Sequence, residues 1–304
     1  MKSISILGIY VADLIFFGDT VPITGETIIG KKYDIGPGGK GSNQAVAAAK
    51  AGAKTFFISK IGDDQFGTMA KKIYKDVGVD YSKVIISKEY STGAAGILVN
   101  NKGQNAINVV TGAAGALTTE DIDVASNVIK ESSIFLTQLE APKDVVYYAL
   151  KIAKENNVTT VLNPAPASEI DKDIFPLIDY FTPNEVEASF YVDYKVENEE
   201  DAKKASDQLL KQGIKNVIIT LGDKGAFFAN DRESFHIKAM NLGEKVVDTT
   251  GAGDAFNAGF AVALTEDKNI KDSIKFANIT AGLSTTKIGT AKSMPLRSEI
   301  DNLL

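Results

Sequence analysis

The residues best placed for chemistry lie in Asp248-Thr249-Thr250-Gly251-Ala252-Gly253-Asp254-Ala255-Phe256-Asn257-Ala258-Gly259. A strand-like run ends near Val247, small residues follow, and an apolar helical pattern continues to Leu264. Small residues at a helix start leave backbone N–H groups without intrahelical partners. With the positive end of the helix dipole they form a site for phosphate or for developing negative charge. Asp254 sits at that start, where a carboxylate can act as a general base. Taken alone, the same pattern also fits a helix cap after a tight turn.

Further candidates are spread along the chain. Gly38-Gly39-Lys40-Gly41-Ser42-Asn43-Gln44-Ala45 combines glycines with a lysine, yet Lys40 is followed by Gly41, so it fails the phosphate-loop pattern. It reads better as a loop that lets a small polyol approach main-chain N–H groups, followed by an alanine-rich helix from Ser42 to Gly52. Asp13 and Glu140 are expected at strand ends, the ligand side of an open α/β sheet. Asn184 and Glu187 are spaced to share one helix face, or to act as a cap and a surface charge. Other chemistries are excluded by composition. The chain has no cysteine and only one histidine, His236, which rules out disulfides, thiolate sites, serine-histidine triads and multi-histidine zinc sites. Net charge is −6 with no long basic run, which argues against a nucleic-acid partner.

The elements that must position these residues are short apolar runs alternating with amphipathic helical segments. Thr55–Ile61, Ile134–Leu139, Thr159–Leu162 and Val217–Leu221 read as buried strands. Phe66–Val77, Lys143–Glu155 and Glu199–Gln212 read as helices between them. The alternation implies an α/β fold, a mostly parallel sheet with helices on both faces. Thr27–Ile35 and Ala94–Val110 look like strands without helices between, the second turning at Asn100–Gly103. They suggest a small antiparallel β flap, from about 10–36 and 90–112, on a single domain spanning 1–304. The alternative is an extension of the sheet edge. Ser3–Gly8 opens the chain as a strand with no leader pattern, and no apolar run is long enough for a membrane span. A cytoplasmic location is therefore expected.

Several of these segments together resemble the ribokinase family, also called the phosphofructokinase B family of carbohydrate kinases. Gly38–Ala45 is similar to its amino-terminal signature and Asp248–Gly259 to its carboxy-terminal one. Asn163-Pro164-Ala165-Pro166 and Pro183-Asn184-Glu185-Val186-Glu187 resemble its central segments, and Thr220-Leu221-Gly222-Asp223-Lys224-Gly225 its nucleotide loop, in family order. The resemblance implies ATP-dependent transfer of phosphate to the primary hydroxyl of a small sugar, with ribose favoured. Asp254 would be the base, with the N–H groups of Gly251, Ala252 and Gly253 stabilising charge. Gly39, Lys40, Asn43, Asp13 and Glu140 would contact the sugar. Thr220, Gly222, Gly225, Gly253 and Asn278 would contact the nucleotide, and Asn184 and Glu187 would support magnesium through water. A potassium site would draw on Asp248, Thr250, Ser284, Lys287, Gly289 and Ser293, mostly through carbonyls. A homodimer is implied, closed over an apolar face of the flap.

Two positions depart from the family. Val11 stands in the sugar-binding segment, two residues before Asp13, where the resemblance expects Asn; Gly115 stands at another position often held by Asn. Fructose, ketodeoxygluconate and nucleosides therefore stay open as substrates, as does a non-catalytic sugar or nucleotide sensor. A dinucleotide oxidoreductase is set aside because no G-x-G-x-x-G follows the first strand.

Overall fold

Residues Ser3–Leu7 (β1) are buried at every position, as an interior parallel strand covered on both faces must be. A computed structural model describes residues 2–240 and 246–304. In it, β1 is followed by β2 (Val11–Phe17), β3 (Lys32–Gly38), α1 (Lys40–Lys50), β4 (Lys54–Gly62), α2 (Gln65–Val77) and β5 (Asp80–Ser87). Next come β6 (Thr92–Val99), β7 (Asn105–Gly112), α3 (Thr119–Glu131), β8 (Ile134–Thr137), α4 (Lys143–Glu155), β9 (Thr159–Leu162) and β10 (Tyr180–Phe181). The chain continues through α5 (Glu185–Val192), α6 (Glu199–Lys211), β11 (Asn216–Thr220), β12 (Ala226–Asn230) and β13 (Ser234–Ile237). It closes with α7 (Ala252–Thr265), α8 (Ile270–Ser284) and α9 (Arg297–Asp301).

The main sheet has nine strands in the order β13-β12-β11-β10-β9-β8-β1-β4-β5. It is parallel from β11 to β5, with β12 and β13 antiparallel at one edge. Helices cover both faces. One apolar cluster joins Ile122, Val145, Leu150, Ala202 and Leu209 from α3, α4 and α6. The other joins Val46, Ala70, Ala258 and Phe276 from α1, α2, α7 and α8. Among the described residues no helix is long and apolar enough to cross a membrane.

The flap is a separate four-stranded sheet in the order β3-β2-β6-β7. Its two outer pairings are antiparallel and its central one, β2 with β6, is parallel. The expected strand Thr27–Ile35 is displaced to Lys32–Gly38, because only these residues face β2, from Phe17↔Lys32 to Val11↔Gly38. Asp13 therefore lies inside β2, not at the end of the first strand. Ile134–Leu139 keeps strand pairing only to Thr137, which puts Glu140 three residues beyond β8. Val246 and Val247 are in no strand; the N–H groups of Val247 and Asp248 both donate to Thr285 O, at 2.9 and 3.2 Å. The earlier part of that strand-like run falls outside the described residues.

Asp64 ties the flap to the main sheet. It caps α2 by accepting from Gly67 N at 2.8 Å, and it accepts from Thr92 N and Thr92 Oγ1 at the start of β6, each at 2.7 Å.

Candidate active site

Asp254 is in the first turn of α7 and is nearly fully buried, with 6% of its surface exposed. α7 opens on Gly251, whose φ of 81° is left-handed and suits glycine. Ala252 N donates to Thr249 O at 3.2 Å, whereas the N–H groups of Gly251, Gly253 and Asp254 find no partner among the described residues. Free donors therefore lie on both sides of Ala252 at this helix start.

Both oxygens of Asp254 are held from α1. Asn43 Nδ2 donates to Oδ2 and Gln44 Nε2 to Oδ1, each at 3.0 Å. Burial pushes the Asp254 carboxyl above the usual carboxylate range, opposed by the Lys40 ammonium and these two amides. Asn43 Oδ1 is buried without a partner among the described residues, an acceptor open to a ligand hydroxyl.

Lys40 is the first residue of α1, after Gly39, whose φ is 88°. A Cβ on Gly39 would lie 2.5 Å from Ile9 O, so only glycine fits there. Lys40 N donates to Glu140 Oε2 at 2.8 Å. Burial alone would lower the Lys40 ammonium, but Asp254, Glu140 and Glu187 outweigh it and hold it above its ordinary value. The carboxylates respond to the same environment. Burial pushes Glu140 up to about 7, and Asp13 and Glu187 each to about 6. Asp13 leans over the flap backbone, where a Cβ on Gly38 would fall 2.2 Å from its Oδ1.

Asn184 and Glu187 form a reciprocal capping box at the start of α5. Asn184 N donates to Glu187 Oε2 at 2.9 Å, and Glu187 N to Asn184 Oδ1 at 2.8 Å. This leaves Glu187 one oxygen, Oε1, free of those bonds in a site that also holds Lys40. A single oxygen suits magnesium that keeps its water shell and does not make a dedicated protein cage.

Thr220 ends β11, and Gly222 and Gly225 turn beyond it with φ of 54° and 103°. A Cβ on Gly225 would lie 2.1 Å from Ile237 O, so the turn needs glycine against β13. Asn278 Nδ2 reaches the same edge, at 3.4 Å from Ile237 O and 3.3 Å from Lys238 O. Of the expected cation ligands, Asp248, Thr250 and Gly289 come together. Asp248 Oδ1 accepts from Thr250 N and Oδ2 from Gly289 N, both at 2.9 Å. Ser293 turns back on Thr290 O at 2.7 Å, and Ser284 bonds Ala281 O within α8. Lys287 directs its ammonium to Glu299 at 2.7 Å, which leaves only its carbonyl for a cation.

The two departures have structural counterparts. Val11 is buried, two positions from Asp13 on the same face of β2, and belongs to the apolar cluster of Ala95, Ala114 and Leu139. A Cβ on Gly115 would lie 2.2 Å from Thr111 Oγ1, so the Thr111 hydroxyl occupies the space a side chain there would take. Sequence reasoning missed Gln44, Gln138 and the side-chain role of Asn163, all buried. The signal was present in Asn43-Gln44, an amide pair on a helix whose other buried residues are small.

A buried carboxylate gripped between two helix starts, at the exits of a parallel sheet and beside a β flap, defines an α/β enzyme for a small polar ligand. The model of the pfkB family carbohydrate kinases matches residues 1–297. A ribokinase of Haemophilus influenzae is 40% identical over 98% of this chain and 97% of its own length. A deoxyribokinase of Salmonella typhimurium is 34% identical over 99% of this chain and 98% of its own. The structure of an Arabidopsis thaliana ribokinase complexed with ribose and ATP superposes with a TM-score of 0.95, at 31% identity, covering 100% of this chain and 99% of that one. The chain belongs to the pfkB family of carbohydrate kinases. Its activity is ATP-dependent phosphorylation of a sugar.

The raised Glu140 carboxyl generates a prediction. A folded-state value of about 7 against an ordinary 4.5 means that ionisation opposes folding, so stability falls as pH rises from about 4.5 to 7. Glu140→Gln keeps an acceptor for Lys40 N and removes that penalty. The variant is expected to melt higher at pH 8, by about 1–3 kcal/mol of stability, and to match the parent at pH 4.5. Thermal melts at both pH values check this; an equal difference at both would refute it.

Proposed function

We propose that this kinase phosphorylates the primary hydroxyl of a pentose, D-ribose first among them, with Asp254 as catalytic base. The observation that carries the reading is Asp254 itself, buried at the glycine start of α7 with both oxygens held by amides. The sugar's exocyclic hydroxyl gives its proton to Asp254 as its oxygen attacks the γ-phosphate of ATP in line. ADP leaves, and the free N–H groups at the start of α7 stabilise charge on the transferring group. Asp13 and Glu140 accept the ring hydroxyls, joined by Asn43 Oδ1, while Gly39 and Lys40 line the same side. Thr220, Gly222, Gly225 and Asn278 hold the nucleotide. Asn184 and Glu187 support magnesium through water, and the metal supplies charge neutralisation on the phosphates. The named activities of the Haemophilus and Arabidopsis relatives support ribose.

A second reading is favoured by Val11. A sugar with no hydroxyl facing that apolar side chain, such as the deoxypentose implied by the Salmonella relative's name, would be complementary to it as it stands. We also place the protein in the cytoplasm and as a homodimer. Phe16, Tyr33, Ile35 and Val110 are exposed on one face of the flap, and a second copy would cover them; its mass in solution reads this directly.

Three outcomes test these readings. Asp254→Asn keeps size but cannot take the proton, so turnover should fall about 10²–10⁴-fold while ATP still binds; near-parental turnover would remove Asp254 from the role. Potassium should raise activity by ordering the turn around Asp248, Thr250 and Gly289. Equal rates in potassium and in a bulky organic cation at fixed ionic strength would count against it. Val11→Asn separates the sugars by the sign of its effect. If ribose is the substrate, the new amide should tighten its binding up to about tenfold, the worth of one net hydrogen bond. If a deoxypentose is, the amide is buried unpartnered and costs about 1–3 kcal/mol.

A further inference from the structure

Thr182 O is a backbone carbonyl, so it can only accept a hydrogen bond. Asn163 Nδ2 donates to it at 3.1 Å, which turns Asn163 Oδ1 toward Gln44. Gln44 Nε2 donates to that oxygen at 3.2 Å and, from the same amide group, to Asp254 Oδ1 at 3.0 Å. Gln44 Oε1 is thereby turned the other way, where it accepts from Gln138 Nε2. Gln44 has no exposed surface. Reversing it would set its oxygen against Asp254 Oδ1 and Asn163 Oδ1, and its N–H groups against those of Gln138. One main-chain carbonyl therefore sets the direction of every donor as far as the carboxylate.

We propose that Gln44 is a positioning residue for the base, aimed at Asp254 by this one-way chain of amides. The inference rests on Asp254 acting as the base. Gln44 makes no claim on substrate; it fixes the carboxylate plane and favours its ionised form in a buried setting. Of the two amides on Asp254, Asn43 keeps an acceptor free for a ligand and Gln44 is bonded at both ends. The other charged groups that act on Asp254 are Lys40 from α1, Glu140 beyond β8 and Glu187 from α5, and none belongs to this chain.

Gln44→Met retains length and stem and removes both donors. The expected result is a kcat lower by roughly 10–100-fold, the worth of a hydrogen bond to a charged group, with the sugar KM within about twofold of the parent. The acidic limb of kcat should move up by about one pH unit, because the lost donors had favoured the carboxylate, so part of the rate returns at high pH. A lower kcat with the limb unmoved, or a raised KM alone, would indicate packing only and overturn the proposal. Asp254→Asn is measured alongside. If it retains turnover, the base reading falls and this inference with it. If it is inactive while Gln44→Met matches the parent, positioning alone falls. Should Gln44→Met not fold, the unmodified enzyme decides. The Gln44 side-chain amide, observed by NMR in protein labelled with 15N-glutamine, should shift with the midpoint of the acidic limb and lose that shift in Asp254→Asn. An amide signal constant through the limb overturns the proposal.

Discussion

The close approach of α1 to the exit of β1 is the constraint on which the site depends. A Cβ on Gly8 would lie 2.7 Å from the Cα of Gly41, and one on Gly41 would lie 2.6 Å from the Cα of Gly8. No side chain fits at either position, so the first turn of α1 lies against the strand end. That contact carries Asn43 and Gln44 to Asp254 across more than two hundred residues of sequence. A similar economy holds α7 in place: a Cβ on Gly259 would lie 2.7 Å from Thr280 Oγ1 of α8, and α7 contributes a run of buried small residues around it. The proposed base is positioned by backbones that touch, and its hydrogen bonds follow from that.

Two helix starts meet at this point. α1 opens on Gly39 and α7 on Gly251, both at positive φ, and each brings the positive end of its dipole to the site. Against them stand Asp13, Glu140, Glu187 and Asp254, all pushed upward by burial, with Lys40 as the cation among them. Such a cluster is costly in the free protein, because ionised carboxylates are held out of water with few donors. Hydroxyl groups of the proposed sugar would be donors to these acceptors. The helix starts and Lys40 supply positive charge that balances these carboxylates.

Much of this was legible in residue order because it depends on local pattern. Lys143–Glu155 is helical over the expected span, and Thr159–Leu162 is a strand over its own. The small residues before Asp254 revealed a helix start because backbone donors there follow from chain chemistry alone. The flap was read less well. Ile28, Ile29 and their neighbours look like strand, but a strand needs a partner, and β2 offers pairing only from Lys32 onward. Asp13 lies in β2 and not at the end of β1, because β1 stops at Leu7 and the chain resumes pairing only from Val11, with β3 and β6. The amides were hidden for a different reason. Gln44, Gln138 and Asn163 look like surface polar residues wherever they occur, and only the fold brings them together in the dark of the core. Asn184 and Glu187 show the converse: a local capping box, yet one that is also set beside Lys40.

The two departures from the family pattern fall where the flap meets the proposed sugar side of the site. Val11 lies in β2, and Gly115 lies just past β7, where the Thr111 hydroxyl of that strand fills the space. Asp254, Gln44, Asn163 and the start of α7 belong to the main sheet and its helices. The flap is joined to that body by turns and by the Asp64 latch, not by strand pairing with the nine-stranded sheet. Side chains on its inner face can therefore change without moving the α1–α7 contact. On the proposed reading a hydroxyl-sized alteration at Val11 would change which ring substituents are matched, whereas the same alteration at Gly8 or Gly41 would push apart the backbones that carry Asn43 and Gln44. If the proposed roles hold, chemistry and selectivity are separated in the fold, one resting on close-packed backbone and the other on replaceable side chains.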